Sequence, residues 1–329
     1  MRVLLTGASG FLGQATLYAL RRRGIEVVAL GRSRPRDLAG ADFVAVDLLA
    51  TPDVAQFTRA AGATHLVHLA WVTQHGEYAD SLLNLRWVDA TTRLVEAFCA
   101  AGGRHVVVAG SCAEYDWQGQ GYCREDATPL CPATLYGVAK DATRRLVMGL
   151  CAHYGARCAW ARVFFPFGAG EARERLLPQL VGALQGRIRP FGVNAQAQRD
   201  FLHADDVAGG LLALLQSDAA GSYNICSAQP VAIGDLVRLL AQLLDADPRP
   251  VLDLPSLRPA GPPMLAGENI KLTGLGWRPE CTLERGLQRM LSDMAARNHE
   301  PRRADPKGLP PQPAGRSYTS DHPGAVDGD

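Results

Sequence analysis

Tyr136 and Lys140 stand four residues apart in the stretch Tyr136-Gly137-Val138-Ala139-Lys140. In a helix that spacing stacks two side chains on one face. A phenol would then lie beside an ammonium. A free tyrosine ionises near pH ~10 and is a poor base at neutrality. A cation held close stabilises the phenolate, lowers that pKa and makes the tyrosine serviceable as a general acid/base. Alone, the spacing is weak evidence, since a packed tyrosine beside a solvated lysine is the commoner explanation of it. The helix carrying the pair is expected to run through Asp141 and Met148 to about His153.

A second stretch adds chemistry of another kind. Val3-Leu4-Leu5 is a short apolar run of the sort found in strands buried on both faces. It leads into Thr6-Gly7-Ala8-Ser9-Gly10-Phe11-Leu12-Gly13, then a helical pattern to Arg23, a stop at Gly24 and a second strand, Val27-Val28-Ala29-Leu30. Together these make a βαβ unit. Gly7 permits the tight turn, Gly10 lets backbone approach a pyrophosphate, and Gly13 lets the helix pack on the strand. The helix N-terminus faces the phosphate charge. Ser9, Phe11 and Leu12 complete the dinucleotide loop. After the second strand an acidic residue would bind the ribose hydroxyl of NAD, and an arginine would accommodate the extra phosphate of NADP. The chain reads Leu30-Gly31-Arg32-Ser33-Arg34, without a carboxylate. NADP is favoured, with Arg32 as its contact, and NAD remains open; solvated loop charges are the plainer reading of both arginines.

These residues need elements to hold them. Phe43 to Leu48, ending on Asp47, reads as a third strand, and Leu66 to Ala70 as a fourth, followed by Trp71-Val72-Thr73. A helix is expected from Leu85 to Ala101, a fifth strand over His105 to Gly110 with Ser111 at its end, and a sixth over Cys158 to Phe164. Strands alternating with helices imply an α/β fold, a doubly wound parallel sheet. Ligands bind outside the C-terminal ends of such strands. The glycine turn, Asp47, His68, Trp71 and Ser111 would share that edge. Beyond Pro166 come a loop, a helix from Arg175 to Leu184, a helix to Leu215, a strand over Ser222 to Cys226 and helices over Ile233 to Leu244 and Leu283 to about Arg297. Asp205 and Asp206 are expected to cap the helix they open. Residues 298–329, rich in proline and poor in large apolar residues, are expected to be a disordered tail.

Composition narrows the classes. With 47% hydrophobic and 20% charged residues the chain has ample material for a core. A net charge of +1 gives no bulk attraction to nucleic acid or a membrane surface. No apolar run is long enough to span a bilayer, and the N-terminus passes directly into a strand, so a cytoplasmic protein without a signal peptide is expected. The eight cysteines form no Cys-x-x-Cys and have no histidine at zinc-ligand spacing, so no metal is expected.

With these residues in view, the chain over residues 2–297 resembles the extended short-chain dehydrogenase/reductases of the NAD-dependent epimerase/dehydratase family. The matching motifs are Thr6 to Gly13, Asp47-Leu48, His68-Leu69-Ala70, Ser111 four residues before Tyr115, Tyr136 to Lys140, Arg199-Asp200-Phe201-Leu202-His203 and Leu275-Gly276-Trp277-Arg278-Pro279. The resemblance implies a Rossmann domain (1–165 plus about 198–228) and a smaller mixed α/β substrate-binding domain (about 166–197 plus 229–297). It implies Tyr136 as the acid/base, Lys140 on the nicotinamide ribose and Ser111 on the reacting oxygen. It implies Asp47, Leu48, Leu69 and Ala70 on the cofactor. Arg199 would meet the diphosphate of a nucleotide-diphosphate sugar, with Trp71, Thr73 and Tyr115 lining the sugar pocket. A homodimer is implied as well, and Leu94, Val95, Phe98, Met148, Leu150 and Cys151 would supply its four-helix face, unless they are core.

Departures from the pattern select the reaction. Family dehydratases place an Asp-Glu pair after the catalytic hydroxyl residue, to protonate the leaving hydroxyl and remove the α-proton. Here Cys112 and Ala113 stand there, and Glu114, in a strand-like segment, should point to the other face. Where the family has Asn-Val-Tyr-Gly, this chain has Phe165-Pro166-Phe167-Gly168, an aromatic wall. The expectation is an NADP-preferring 4-ketoreductase of a nucleotide-linked 4-keto-6-deoxysugar. The alternative enzyme is a sugar 4-epimerase that holds NAD tightly. A non-catalytic NADP-sensing protein is the reading of another class, and Tyr136→Phe, which a sensor should tolerate, separates it.

Overall fold

The computed structural model describes residues 1–74, 76–118, 121–256 and 261–299. The tail expected from 298 lies outside the described residues from 300 onward; residues 298 and 299 continue the last helix.

The first half of the chain alternates strand and helix: β1 (Arg2–Thr6), α1 (Phe11–Arg22), β2 (Glu26–Gly31), β3 (Asp42–Ala45), α2 (Ala55–Ala61), β4 (His65–His68), α3 (Leu83–Ala100) and β5 (His105–Ser111). The short β6 (Tyr122–Cys123), α4 (Leu135–His153), β7 (Arg157–Val163), β8 (Phe165–Phe167) and α5 (Leu176–Leu184) follow. Then come β9 (Gln198–Arg199), β10 (Phe201–His203), α6 (Ala204–Gln216), β11 (Gly221–Ile225), β12 (Val231–Ala232) and α7 (Ile233–Leu244). The chain continues through α8 (Arg249–Leu252), β13 (Met264–Gly267), α9 (Ile270–Gly274) and α10 (Leu283–His299).

Seven strands form one parallel sheet in the order β11-β7-β5-β4-β1-β2-β3. This is a doubly wound sheet, reversing direction between β1 and β4. The crevice at such a reversal is where ligands bind. β1 is buried nearly throughout because both its faces are covered. On one face Val3 and Leu5 pack with Leu17 and Leu20 of α1 and Val207 and Leu211 of α6. Truncating Leu17 or Leu20, both fully buried, to alanine would cost about 2–5 kcal/mol. On the other face Leu4 and Leu66 pack with Leu94, Val95 and Phe98 of α3 and Val147 of α4. A third apolar core lies away from this sheet, where Leu177, Leu180, Leu236, Leu240, Leu287 and Met290 join α5, α7 and α10. Two small sheets, β10-β8 and β12-β9-β13-β6, complete the strand pairing, and Phe167, Phe201 and Val231 from them pack into this third core. Among the described residues no helix is long and apolar enough to cross a membrane.

Three expectations are corrected. The third strand ends at Ala45, and Asp47 lies in the turn beyond it, accepting from the Leu49 N–H at 3.0 Å. Asp205 and Asp206 do not cap α6. The His203 ring does, with Nδ1 accepting from the Asp205 N–H at 3.3 Å, while Asp206 accepts from the backbone of Glu280 and Cys281. The proposed subunit-pairing face is core: Leu94, Val95, Phe98 and Cys151 are buried, and Met148 and Leu150 pack against them.

Candidate active site

The turn after β1 shows why glycine is required there. Gly7 has φ +74°, a left-handed conformation that strains any other residue. A Cβ on Gly13 would lie 1.9 Å from the Gly7 carbonyl oxygen. With no side chains between them, the turn and the start of α1 form a cradle of backbone N–H groups suited to phosphate. The cradle opens into a cleft of about 470 Å³. Gly7, Ser9, Gly10, Phe11, Leu12 and Gly13 form one wall, and Arg32 lines the cleft as well. Asp47, Leu48, Leu69 and Ala70 continue it toward Trp71 and Thr73. Ser111, Tyr136 and Lys140 line the same cleft, as do Phe164, Phe165 and Pro166. The residues present therefore fit a dinucleotide, with the glycine cradle at its phosphates.

Thr134 starts α4, its hydroxyl accepting from the Gly137 N–H at 3.2 Å. Gly137 allows a close approach: a Cβ there would sit 2.3 Å from the Ala113 carbonyl oxygen. That contact seats the first turn of α4 on the loop after β5 and brings Tyr136 to Ser111. Burial raises the Tyr136 phenol above its ordinary value, and the Ser111 side chain draws it partly back. The sequence-based expectation had the opposite sign. Spacing alone suggested that Lys140 lowers the phenol, but its ammonium is 5.9 Å from the tyrosine ring centre and points to the sheet. It donates to the Ala109 carbonyl at 2.8 Å and lies 3.8 Å from the centre of a Trp71 ring. Lys140 is itself pushed down to about 7 by burial, with Glu114 acting against that.

Glu114 faces away from the cleft as expected, but through a turn rather than a strand. Cys112–Glu114 form a single 3-10 turn, which folds the carboxylate back under Ser111. Its Oε1 accepts from the Ser111 N–H at 2.7 Å, and its Oε2 pairs with Arg162 Nε at 2.8 Å. The Cys112 thiol is buried and pushed up by desolvation, as a small packed residue rather than a nucleophile would be.

Tyr115 does not line the cleft. It is buried, donates to Asn224 Oδ1 at 2.7 Å and accepts from Arg162 at 3.1 Å, because the same turn directs it inward. Arg199 also lies off the cleft wall, held by the Gln198 and Pro262 carbonyls. His68 is buried between the Thr6 and Thr91 hydroxyls and pushed down to about 3, a structural group. Sequence reasoning missed Tyr78, whose ring meets Tyr136 edge-on at 5.0 Å, and Trp117, which donates to the Cys112 carbonyl at 2.8 Å. At the mouth, Arg175 donates to the buried Glu171 at 2.9 Å, and burial lifts that carboxyl to about 7.

A doubly wound parallel sheet whose glycine turn faces a serine, a tyrosine and a lysine defines an extended short-chain dehydrogenase/reductase. More particularly, residues 3–226 match the NAD dependent epimerase/dehydratase family, and the chain belongs to it. It is similar to the GDP-6-deoxy-D-mannose reductase of Pseudomonas aeruginosa, 31% identical over 51% of this chain and 58% of that protein. It is 29% identical to the 3-diazoavenalumate denitrifying reductase of a Streptomyces species over 85% of this chain and 96% of that protein. Among solved structures it resembles MoeE5 in complex with UDP-glucuronic acid and NAD, with TM-score 0.76, 27% identity, and coverage of 90% of this chain and 100% of that one.

Proposed function

We propose that the chain is an NADP-preferring ketoreductase acting on the 4-keto group of a 6-deoxysugar carried on a nucleoside diphosphate. One observation carries this reading. The turn after Ser111 offers the cleft Cys112 and Ala113, and its one carboxylate, Glu114, is turned inward and bound to Arg162. Elimination of water from a sugar needs an acid and a base at that place. Carbonyl reduction needs only a proton donor and groups that steady the oxygen.

When bound, the reduced nicotinamide supplies the hydride. Tyr136, kept protonated by burial, gives its phenolic proton to the carbonyl oxygen, and solvent returns it. Ser111 donates to the same oxygen as charge develops. Lys140, 5.9 Å from the Tyr136 ring centre, would add positive charge to the site when protonated. A phenol is protonated at neutral pH and so has a proton to give first, as reduction requires. Arg32, with no carboxylate beside it, suits a 2′-phosphate. Trp71, Thr73 and the Phe165-Pro166 wall would bound the sugar, and Arg175, which lines the same cleft, would meet the nucleotide's phosphates. The reductase name of the Pseudomonas relative supports the substrate class.

The second reading, a nucleotide-sugar 4-epimerase, is favoured by the NAD in the MoeE5 complex. Cofactor identity separates the two. Exchangeable NADPH, weak NADH binding and loss of nicotinamide absorbance with 4-keto-6-deoxysugar nucleotides are expected. Stoichiometric, non-exchanging NAD with interconversion of hexose nucleotides and no net redox change would overturn the reductase.

A homodimer belongs to the same proposal. Leu85 on α3 and Val138 and Leu146 on α4 are exposed apolar residues on two helices that pack side by side, a surface suited to a second copy. Light scattering should give twice the 35.2 kDa of one chain, and Leu146→Glu should give a monomer.

A further inference from the structure

The end of β5 is held from two sides. Lys140 donates to the Ala109 carbonyl at 2.8 Å, and two residues on Glu114 accepts the Ser111 N–H at 2.7 Å. Gly110, between them, touches the carboxylate so closely that a Cβ would come within 2.6 Å of Oε1 and 2.1 Å of Trp160 Nε1. Glu114 is fully buried and fully partnered. Trp160 Nε1 donates to both its oxygens, at 2.9 and 3.0 Å, and Arg162 Nε donates at 2.8 Å.

We propose that Glu114 is a positioning residue for the reaction, one carboxylate that fixes the Ser111 backbone and serves as the counter-charge of the Lys140 ammonium. This rests on the assignment of Ser111, Tyr136 and Lys140 as the reacting set.

An ammonium 3% exposed has lost nearly all of its water and needs a compensating charge. The neighbouring groups leave one source. Trp71 presents an uncharged face, and Tyr136 on α4 is held neutral by burial. His68 on β4 is also neutral, in part because of Lys140 itself. Asp141, next along α4, is committed to Arg144 and Arg145. Among the charged groups around it, Glu114 acts to keep the lysine protonated. Its charge is shared with Arg162, so two cations are held by one anion. Toward Tyr136 that carboxylate acts to raise the phenol, so its service to the reaction runs through Ser111 and Lys140. Loss of the carboxylate would free the Ser111 turn and discharge Lys140 together.

The chain has three lysines, Lys140, Lys271 and Lys307, so Lys140 can be watched directly. Full-length protein labelled with ¹³C at the lysine ε-carbon gives one resonance for each, assigned with Lys271→Arg and Lys307→Arg. In Glu114→Gln the Lys140 midpoint should fall by about one unit or more, and the other two should stay. A folded Glu114→Gln protein with an unmoved Lys140 midpoint would overturn the proposal. Should that variant not fold, Glu114→Asp keeps the charge but draws it back from Ser111. Its Lys140 midpoint should stay near wild type while kcat drops roughly 10-fold with KM held, the mark of misplaced chemistry. Wild-type kcat in Glu114→Asp would equally sink the proposal. The resonance needs no substrate, so it answers even where the ketoreductase reading fails.

Discussion

The Lys140 ammonium lies 3.8 Å from the centre of a Trp71 ring, and the indole N–H donates to Asn84 at 2.9 Å. Asn84 in turn donates to the Tyr78 carbonyl at 2.7 Å, so the ring that faces the lysine is fixed by the start of α3. A cation over an indole gains about 0.5–2 kcal/mol, more where water is excluded. This face contributes to keeping a buried lysine charged.

Burying that charge has a thermodynamic signature. Lys140 is lowered from 10.5 to about 7, so between those values the unfolded chain holds a proton that the folded chain does not. Stability therefore rises with pH across that window, and the cost of the buried charge is fully present below about 7. Lys140→Met should be inactive yet more stable than wild type at neutral pH, on the order of 3 kcal/mol. The advantage should shrink as pH approaches about 10. Urea unfolding at several pH values checks this. The difference between the two proteins is the quantity to follow, since buried cysteine thiols such as Cys112 oppose the rise at alkaline pH in both.

Tyr136→Phe should retain fold and cofactor binding, because the ring's edge contact with Tyr78 and the backbone bond from Tyr136 N–H to the Ala79 carbonyl at 2.8 Å both survive. Only the proton is lost. Activity should fall about 10²–10⁴-fold with little change in the cofactor Kd. Steady-state kinetics together with fluorescence titration of NADPH would show whether the two quantities separate in this way.

How much could be read in advance follows from what each residue depends on. The β1-α1-β2 unit was legible because local period and glycine placement specify it, and Ser111, Tyr136 and Lys140 were legible because each ends or begins a long element. Tyr115, placed in the sugar pocket by resemblance, was not: one 3-10 turn, Cys112–Glu114, sends it into the core, and the same turn rather than strand alternation keeps Glu114 off the cleft. The perturbed phenol was misread for a related reason: helical spacing says which residues are neighbours, but burial decides the sign, and burial is set by distant residues such as Trp71 and Tyr78. Strands such as β9, β10 and β12, two or three residues long, are too short to show a period. They exist because the long sheet and the third apolar core bring their neighbours together.

Gly13→Ala tests the cradle. The added methyl would meet the Gly7 carbonyl oxygen at 1.9 Å and Gly7 carbonyl carbon at 2.6 Å, both backbone atoms that cannot swing aside. α1 must move off the turn, and the N–H groups that face phosphate move with it. The Kd for either dinucleotide should rise at least ~10-fold, since a charge-assisted hydrogen bond contributes about 1.5–3 kcal/mol. Calorimetry on the folded variant checks this. A melting temperature close to wild type with normal affinity would mean that α1 adjusts and that the spacing of the turn is less restrictive than its geometry implies.

Arg32→Asp tests the choice of cofactor. Arg32 follows Gly31 at the end of β2 and lines the cleft beside Ser33, and no acidic residue stands between Leu30 and Arg36. In the wild-type protein a 2′-phosphate would gain a charge-assisted contact with the guanidinium. In the variant the same phosphate would meet a carboxylate, and the free ribose hydroxyls of NAD would gain an acceptor. Removing one contact and adding a repulsion should change the ratio of NADPH to NADH affinity by about 10²-fold toward NADH. The absolute affinity for NADH should improve. Fluorescence titration of wild type and variant with both cofactors measures the two ratios directly. A ratio that does not move would show that Arg32 is a solvated loop charge. The NADP preference would then have to come from Arg34 or be absent, and the tightly held NAD of an epimerase would become the better account of the cleft.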